Sequence, residues 1–261
     1  LEASAYAGFR YAAVDLEHTY YGVERTAEMI RAGEAADLCM LARVPCLDAT
    51  WIKKCLDFGA SGIIVPNVDT AEQARQAVRL CRFAPEGLRG ACPGVRANCY
   101  GKGGAEYYTQ ANRQVAVIPL VETPEGVRNF PEIVSTPDIA AVFLGPVDLS
   151  VAMGLGGDTT APQVRSALLD MIGQANRAGG SPGGESRLCP GIAGRGPELP
   201  GLRHRHHPDV SDLPAGDGAG SGGVSRHSVE SQPLERGFHN NYIFSVKVMY
   251  HLSLIHISEP T

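Results

Sequence analysis

The chain has 261 residues, of which 44% are hydrophobic and 20% charged, and its formal net charge is -5. This length and composition allow a large buried core, either in one barrel-sized domain or in two small ones. The negative charge gives no basic footprint for nucleic acid, no apolar run is long enough to span a membrane, and the start carries no secretion signal, so we expect a cytoplasmic protein.

The first 82 residues alternate short apolar runs with segments of helical spacing. The runs that predict strands are 11–16, 38–44 and 62–68. The segments that predict helices are the end of a helix at 3–8, then 23–33 with a terminal glycine, 49–58 ending at Gly59, and 70–82 capped by Asp69 or Thr70. Repeated strand–helix units predict parallel strands, and polar residues gathered after them favour a (β/α)₈ barrel over a doubly wound sheet.

Residues 85–114 are rich in glycine and predict a long irregular loop. A long loop inside a compact domain is usually functional or mobile. Arg89, Arg96 and Lys102 either meet an anionic substrate there or are solvated loop charges.

Residues 115–150 predict one strand–helix–strand unit with a carboxylate at the end of each apolar run. The runs are VAVIPLVET and AAVFLGPVDLS, and the segment between them has helical spacing over 127–134. Because parallel strands end at the same rim, Glu122 and Asp148 should point into one site. Two hard oxygen ligands suit Mg²⁺ or Mn²⁺ and leave positions for water and substrate. The alternative is that each acid only caps the following helix.

Two further residues at predicted strand ends complete a chemical set. His18 can act as a general base whose tautomer a nearby carboxylate fixes, and Arg43 offers a planar fork for a carboxylate or a developing enolate oxygen. Together with a metal held by Glu122 and Asp148, they could abstract a proton next to a carbonyl. Taken alone, a loop histidine is more often structural and an arginine more often a surface charge.

Five motifs carry a family resemblance across residues 3–180. They are VDLEH (14–18), ARVP (42–45), GIIVPNV (62–68) with the preceding 57–59 turn, VET (121–123) and GPVDLSVAMGLGGD (145–158). The chain resembles the HpcH/HpaI aldolases, class II pyruvate aldolases that cleave 4-hydroxy-2-oxo acids and belong to the wider citrate lyase superfamily. The resemblance implies a TIM barrel and a divalent cation, Mg²⁺, Mn²⁺ or Co²⁺, held by Glu122 and Asp148.

The resemblance also implies roles for individual residues. His18 would be the catalytic histidine with Asp57 tuning it, Arg43 would face the transition-state oxygen, and the backbone of Val147 and Asp148 would lie near the pyruvyl carboxylate. The implied partners are a small 2-oxo acid and an aldehyde, and relatives form homo-oligomers. Two alternatives stay open: a citrate-lyase-like or malyl-CoA-type lyase acting on a thioester, and an inactive truncated fragment.

The sequence departs from the family pattern at three places. Leu120 occupies a substrate-binding position where relatives often carry glutamine, and relatives carry a first strand and most of a first helix before Ala3. After residue 180 the strand–helix alternation stops, so we expect a partial barrel at 1–180 and a largely disordered tail at 181–261 in place of the last two units.

A slip of the reading frame near residue 180 would explain this tail. With permitted codons, residues 201–219 in the next frame can read GFGIVTTPMSVICRQAMER, a strand followed by an amphipathic helix. On this interpretation the cluster His204, His206 and His207 comes from translation in the wrong frame and binds no metal. The final HLSLIHISEPT resembles adapter read-through, although its alternating apolar residues could form a strand.

Overall fold

Five parallel strands curl into a half-barrel, with helices between them in the chain. The computed structural model describes residues 1–178 and the backbone of Leu252–Leu254. The strands are β1 Tyr11–Asp15, β2 Cys39–Arg43, β3 Gly62–Val65, β4 Ala116–Val121 and β5 Phe143–Leu144, paired in that order. This is an incomplete barrel of βα units, as the sequence predicts.

The helices of the described part follow the strands in alternation. They are α1 Glu2–Tyr6, α2 Val23–Ala35, α3 Ala49–Phe58, α4 Ala71–Cys81, α5 Glu106–Gln114, α6 Pro124–Arg128, α7 Phe130–Val134, α8 Pro146–Ala152 and α9 Pro162–Ala178, with a 3₁₀ helix at Arg96–Gly101. None of them is long and apolar enough to cross a membrane.

The strands are buried on both faces, which explains why they read as continuous apolar runs. One face packs on the helices; Val14 of β1 and Ile63 of β3 belong to that core. The other face lines the barrel interior, with Ala13 of β1, Leu41 of β2 and Ile118 of β4. Because side chains alternate along a strand, Asp15 and Arg43 lie on the interior face too.

Local signals in the sequence predicted the ends of α3 and α4. The Asp48 side chain accepts hydrogen bonds from the N–H groups of Thr50 and Trp51, and Gly59 ends α3 with φ of 109°. Thr70 and Gln73 form a capping box at the start of α4. The predicted stop at Gly59 and the predicted cap at Thr70 are confirmed, and the Asp48 cap was not predicted; such signals are legible because capping depends on residues close in the chain.

Other boundaries differ from the prediction. Helix α2 continues past Gly33 to Ala35, and Gly33 packs against Met40. The strand predicted at 62–68 ends at Val65, before Pro66 and before Asn67 with φ of 53°. The predicted 127–134 helix divides into α6 and α7, since Pro131 has no N–H for the carbonyl of Val127. The predicted 85–114 loop contains α5 and the 3₁₀ helix.

A short sixth strand, β6 (Leu252–Leu254), pairs in parallel with β1, from Tyr11 opposite Leu252 to Ala13 opposite Leu254. This agrees with the strand that the alternating apolar residues suggested. The rest of the predicted tail, its boundary near residue 180, the frame slip and the histidine cluster lie outside the described residues.

Close packing between β3 and β4 predicts a strong effect of one added methyl group. A Cβ at Gly62 would lie 2.8 Å from both the Cβ and the carbonyl oxygen of Ala116, and 2.9 Å from Leu41 Cδ2. We expect Gly62→Ala to lower the free energy of unfolding in urea by about 1–3 kcal/mol, as overpacking does.

Gly94→Ala is the matched control, because nothing lies within 4 Å of a Cβ there. It should change stability by less than about 0.5 kcal/mol. Equal effects of the two substitutions would contradict the close β3–β4 approach.

Candidate active site

A buried ion pair joins the C-terminal ends of β1 and β2. Asp15 and Arg43 are partners in the strand register. Arg43 donates from Nε to Asp15 Oδ1 at 2.8 Å and from Nη2 to Oδ2 at 2.5 Å. Burial alone would raise the pKa of Asp15, but the hydrogen bonds and charge of Arg43 outweigh it and hold the pKa below its ordinary value. The guanidinium is therefore fixed in the barrel interior.

The chain leaving β1 carries two more polar residues to the same rim. Asp15 Oδ1 accepts from the backbone N–H groups of Glu17 at 3.0 Å and His18 at 3.4 Å. Glu17 Oε2 lies 3.5 Å from Arg43 Nη1 and 3.5 Å from His18 Nε2. The His18 side chain is 54% exposed, whereas that of Glu17 is 13% exposed. His18 thus faces solvent from the edge of the rim, with Glu17 between it and Arg43.

Glu122 directly follows β4 and is buried on the interior side. Its Oε1 accepts a hydrogen bond of 2.9 Å from the backbone N–H of Asn67, whose φ is 53°. A Cβ at Gly145 would lie 2.7 Å from the other oxygen, Oε2, so glycine is needed for the carboxylate to lie there. Burial, helped by the negative charges of Glu17 and Asp148, raises the pKa of Glu122 from 4.5 to about 7.

Asp148 lies in the first turn of α8 and not at the end of a strand. Strand β5 contains only Phe143 and Leu144, and Gly145 and Pro146 turn the chain into the helix before Asp148 is reached. The strand-end placement predicted for Asp148 was therefore wrong. Its side chain is exposed; because Val121 of β4 pairs with Leu144 of β5, the residues that follow these strands, Glu122 and Asp148 among them, lie at one rim.

Two other predicted substrate-binding residues lie beside these carboxylates. Leu120 belongs to the interior cluster, is 1% exposed and precedes Glu122 by two residues on β4. Val147 is the second residue of α8, and the helix has no side-chain cap at Gly145. The N–H groups of Val147 and Asp148 are thus first-turn donors of the kind that bind carboxylates.

Asp57 is the one predicted site residue that the structure does not bring to this rim. Helix α3 starts just after the C-terminal end of β2, and Asp57 lies at the other end of this helix, away from the rim. Its carboxylate accepts a hydrogen bond of 2.8 Å from Arg89. Arg96 likewise pairs with Glu34. Two of the three loop cations considered as substrate contacts are thus engaged within the chain, and a role of Asp57 toward His18 stays a prediction.

Asp15 and Glu17 lie at the rim but carried no predicted role. The role of Asp15 depends on how β1 pairs with β2, which the sequence does not show, because its partner Arg43 is 28 residues away in the chain. Glu17 could have been suspected from its position next to His18 in VDLEH, but a neighbour in sequence need not be a neighbour in contact.

The residues at the rim fit a divalent cation if water or substrate completes its coordination. Among the described residues, no three His, Cys, Asp or Glu side chains form a complete metal cluster. Glu122 and Asp148 provide two hard oxygen donors, and Gly145 leaves space against Glu122 Oε2. When no cation is bound, burial raises the pKa of Glu122 to about 7. A bound cation would favour the ionised carboxylate.

Comparisons with known proteins agree over the described part of the chain. The model of the family "HpcH/HpaI aldolase/citrate lyase" matches residues 1–182. The 4-hydroxy-2-oxovalerate aldolase of Rhodococcus jostii is 36% identical over 183 residues, covering 70% of this chain and 70% of that protein. The 5-keto-4-deoxy-D-glucarate aldolase of Klebsiella pneumoniae is 34% identical over 178 residues, covering 68% and 69%.

A solved structure gives the same result. The crystal structure of an HpcH/HpaI aldolase/citrate lyase family protein from Burkholderia cenocepacia superposes with a TM-score of 0.65 at 37% identity, covering 68% of this chain and 71% of that one. Sequence and backbone therefore point to the same family.

The buried ion pair predicts a large effect of removing one charge. Asp15→Asn removes the carboxylate that accepts both hydrogen bonds of the buried Arg43 guanidinium and leaves it only the 3.5 Å contact with Glu17, so we expect the free energy of unfolding to fall by about 3–5 kcal/mol in urea denaturation. Glu72→Gln is the control: it breaks the Arg75–Glu72 pair of 2.8 Å, which is exposed, and should cost less than about 1 kcal/mol. Similar losses in both variants would contradict the account.

The raised pKa of Glu122 predicts a dependence of stability on pH. The folded protein holds the Glu122 proton up to about pH 7 and the unfolded chain only up to about 4.5, so the free energy of unfolding should fall as pH rises between these values. Glu122→Gln should remove a decline on the order of 3 kcal/mol from the free energies of unfolding measured with urea in EDTA across this pH range. Parallel declines in both proteins would show that Glu122 does not titrate in this way.

Proposed function

The chain belongs to the HpcH/HpaI aldolase/citrate lyase family, and we propose that it is a divalent-metal-dependent aldolase that joins or separates an aldehyde and pyruvate, the latter reacting as its enolate. The observation that carries this proposal is the guanidinium of Arg43, fixed by Asp15 in the barrel interior at the same rim as Glu122. Such a fork can stabilise an oxygen that becomes negative during the reaction.

The described residues can hold a 2-oxo acid in one orientation. The first-turn N–H groups of Val147 and Asp148 would bind its carboxylate, and Arg43 would lie beside the oxygen of the 2-oxo group. Leu120 would contact the same substrate through apolar surface, since it is buried next to Glu122. The 2-oxo acid would then be fixed before any bond breaks.

A divalent cation held by Glu122 and Asp148 would act as a Lewis acid that polarises the 2-oxo group. Arg43 stabilises the enolate oxygen that forms when the C3–C4 bond of a 4-hydroxy-2-oxo acid breaks and its electron pair moves into the 2-oxo unit. His18, half exposed at the rim, takes the proton of the 4-hydroxyl group as the aldehyde forms. A proton from solvent then adds to the enolate carbon to give pyruvate, His18 releases its proton to solvent, and synthesis follows the same steps in reverse.

Two relatives support a lyase and differ in substrate. One is named for 4-hydroxy-2-oxovalerate and the other for 5-keto-4-deoxy-D-glucarate. The shared part of these substrates is the 2-oxo acid, because the 5-keto group of the second lies next to a carboxylate, and in this proposal the rim residues of this chain bind that part. We therefore propose pyruvate as the common product and leave the aldehyde open.

Exchange of the pyruvate methyl protons for deuterium, followed by NMR, tests enolate formation without knowledge of the aldehyde. We expect exchange that depends on Mn²⁺ or Mg²⁺, stops with EDTA, and falls at least about 100-fold in Glu122→Gln, because the variant loses a carboxylate ligand. Glu125→Gln makes the same chemical change at an exposed position in α6 and should keep the exchange rate.

The proposal would be supported by metal-dependent exchange in the wild type and in Glu125→Gln together with its loss in Glu122→Gln. If the folded wild type gave no exchange, pyruvate would be rejected as the donor and the thioester lyase would become the better hypothesis. Equal exchange in both glutamine variants would reject Glu122 as a ligand.

A further inference from the structure

Glu17 is the carboxylate in contact with the imidazole of His18. Its Oε2 lies 3.5 Å from His18 Nε2 and 3.5 Å from Nη1 of Arg43. We propose that Glu17 is the positioning residue for His18: it keeps the imidazole at the rim with Nε2 toward Glu17 and Nδ1 open to take a proton. This inference rests on the proposed function, in which His18 is the base.

The Oε2 atom of Glu17 is buried and has no hydrogen-bond partner within the described part of the chain. A buried carboxylate oxygen without a donor is costly, so such an atom calls for one nearby. Two nitrogen atoms lie 3.5 Å from it, Nη1 of Arg43 and Nε2 of His18, and a displacement of about 0.6 Å would bring the His18 contact to an ordinary hydrogen-bond length. Catalytic hydrogen bonds are often long before substrate binds and shorten in the complex.

The other carboxylates of the site are engaged elsewhere. Asp15 is bound by both nitrogens of the Arg43 fork, and Glu122 Oε1 accepts from Asn67. Asp57 lies at the far end of α3, paired with Arg89. Among the carboxylates of the described residues, Glu17 is therefore the one in contact with His18, while a role of Asp57 toward His18 stays a prediction.

Arg43 in turn holds Glu17 in place. The guanidinium is fixed by Asp15 on one side and faces Glu17 with Nη1, so the backbone of β1 and β2 sets the position of Glu17 and, through it, of His18. Four side chains thus form one connected row, Asp15, Arg43, Glu17 and His18. A group held this way loses little conformational freedom when substrate binds.

The tautomer can be measured without any catalysis. In metal-free protein, the ¹⁵N chemical shifts of the His18 imidazole should show the proton on Nε2. In Glu17→Gln the side-chain amide can donate to Nε2, so the proton should move to Nδ1 in a substantial fraction of molecules. Glu24→Gln, at an exposed position in α2, is the control and should keep the wild-type shifts.

A double-mutant cycle on the deuterium exchange rate tests whether Glu17 acts through His18. Glu17→Gln should lower the rate at saturating pyruvate by about 10–100-fold, as loss of an orienting partner does, and leave the KM for pyruvate unchanged. The double variant with His18→Ala should be no slower than His18→Ala alone.

Two results would overturn the inference. One is an unchanged ¹⁵N pattern in Glu17→Gln, and the other is a rate loss from Glu17→Gln that is just as large when His18 is already alanine. If the wild type shows no exchange at all, the proposed function fails, while the ¹⁵N shifts still decide whether Glu17 positions His18.

Discussion

The arrangement of the rim depends on one constraint, the need of the buried Arg43 charge for a partner. Arg43 and Asp15 end adjacent strands at the same register position and both face the interior, so their side chains meet in two parallel hydrogen bonds. Such a pair adds little net stability compared with apolar side chains, because both charges must leave water. Its effect is geometric: it orients the guanidinium and, through Asp15 Oδ1, the backbone of Glu17 and His18.

Negative charge accumulates around this pair. Glu17, Glu122 and Asp148 act on one another electrostatically, and Arg43 is the cation that opposes them at Glu17 and Glu122. Burial raises the pKa of Glu17 and of Glu122 because the ionised forms lose their hydration. A divalent cation would relieve this excess, and the proposed reaction needs one at the same place. The protonated form of Glu122 therefore stabilises the metal-free protein, whereas metal binding needs the ionised form.

Much of the fold could be predicted from the sequence, because its signals are local. Gly59 ends α3 and Thr70 caps α4 where expected, and Glu122 follows β4 directly because the apolar run ends there. Asp148 was misplaced because a run of apolar residues does not show where a strand becomes a helix: Gly145 and Pro146 make that change three and two residues before Asp148.

Contacts between distant segments could not be predicted in the same way. The Asp15–Arg43 pair depends on strand register, and the N–H that Asn67 donates to Glu122 depends on a left-handed backbone conformation at a non-glycine residue. The place of Asp57 at the end of α3 agrees with the predicted 49–58 helix, whereas its role toward His18 depends on contacts beyond that helix and stays a prediction.

A crystal structure of the protein with Mn²⁺ and pyruvate would test the central claim most directly. Anomalous scattering should place Mn²⁺ between the carboxylates of Glu122 and Asp148, with the 2-oxo group of pyruvate beside the Arg43 guanidinium. Mn²⁺ bound away from Glu122, or pyruvate bound away from Arg43, would contradict the account that this rim is the active site.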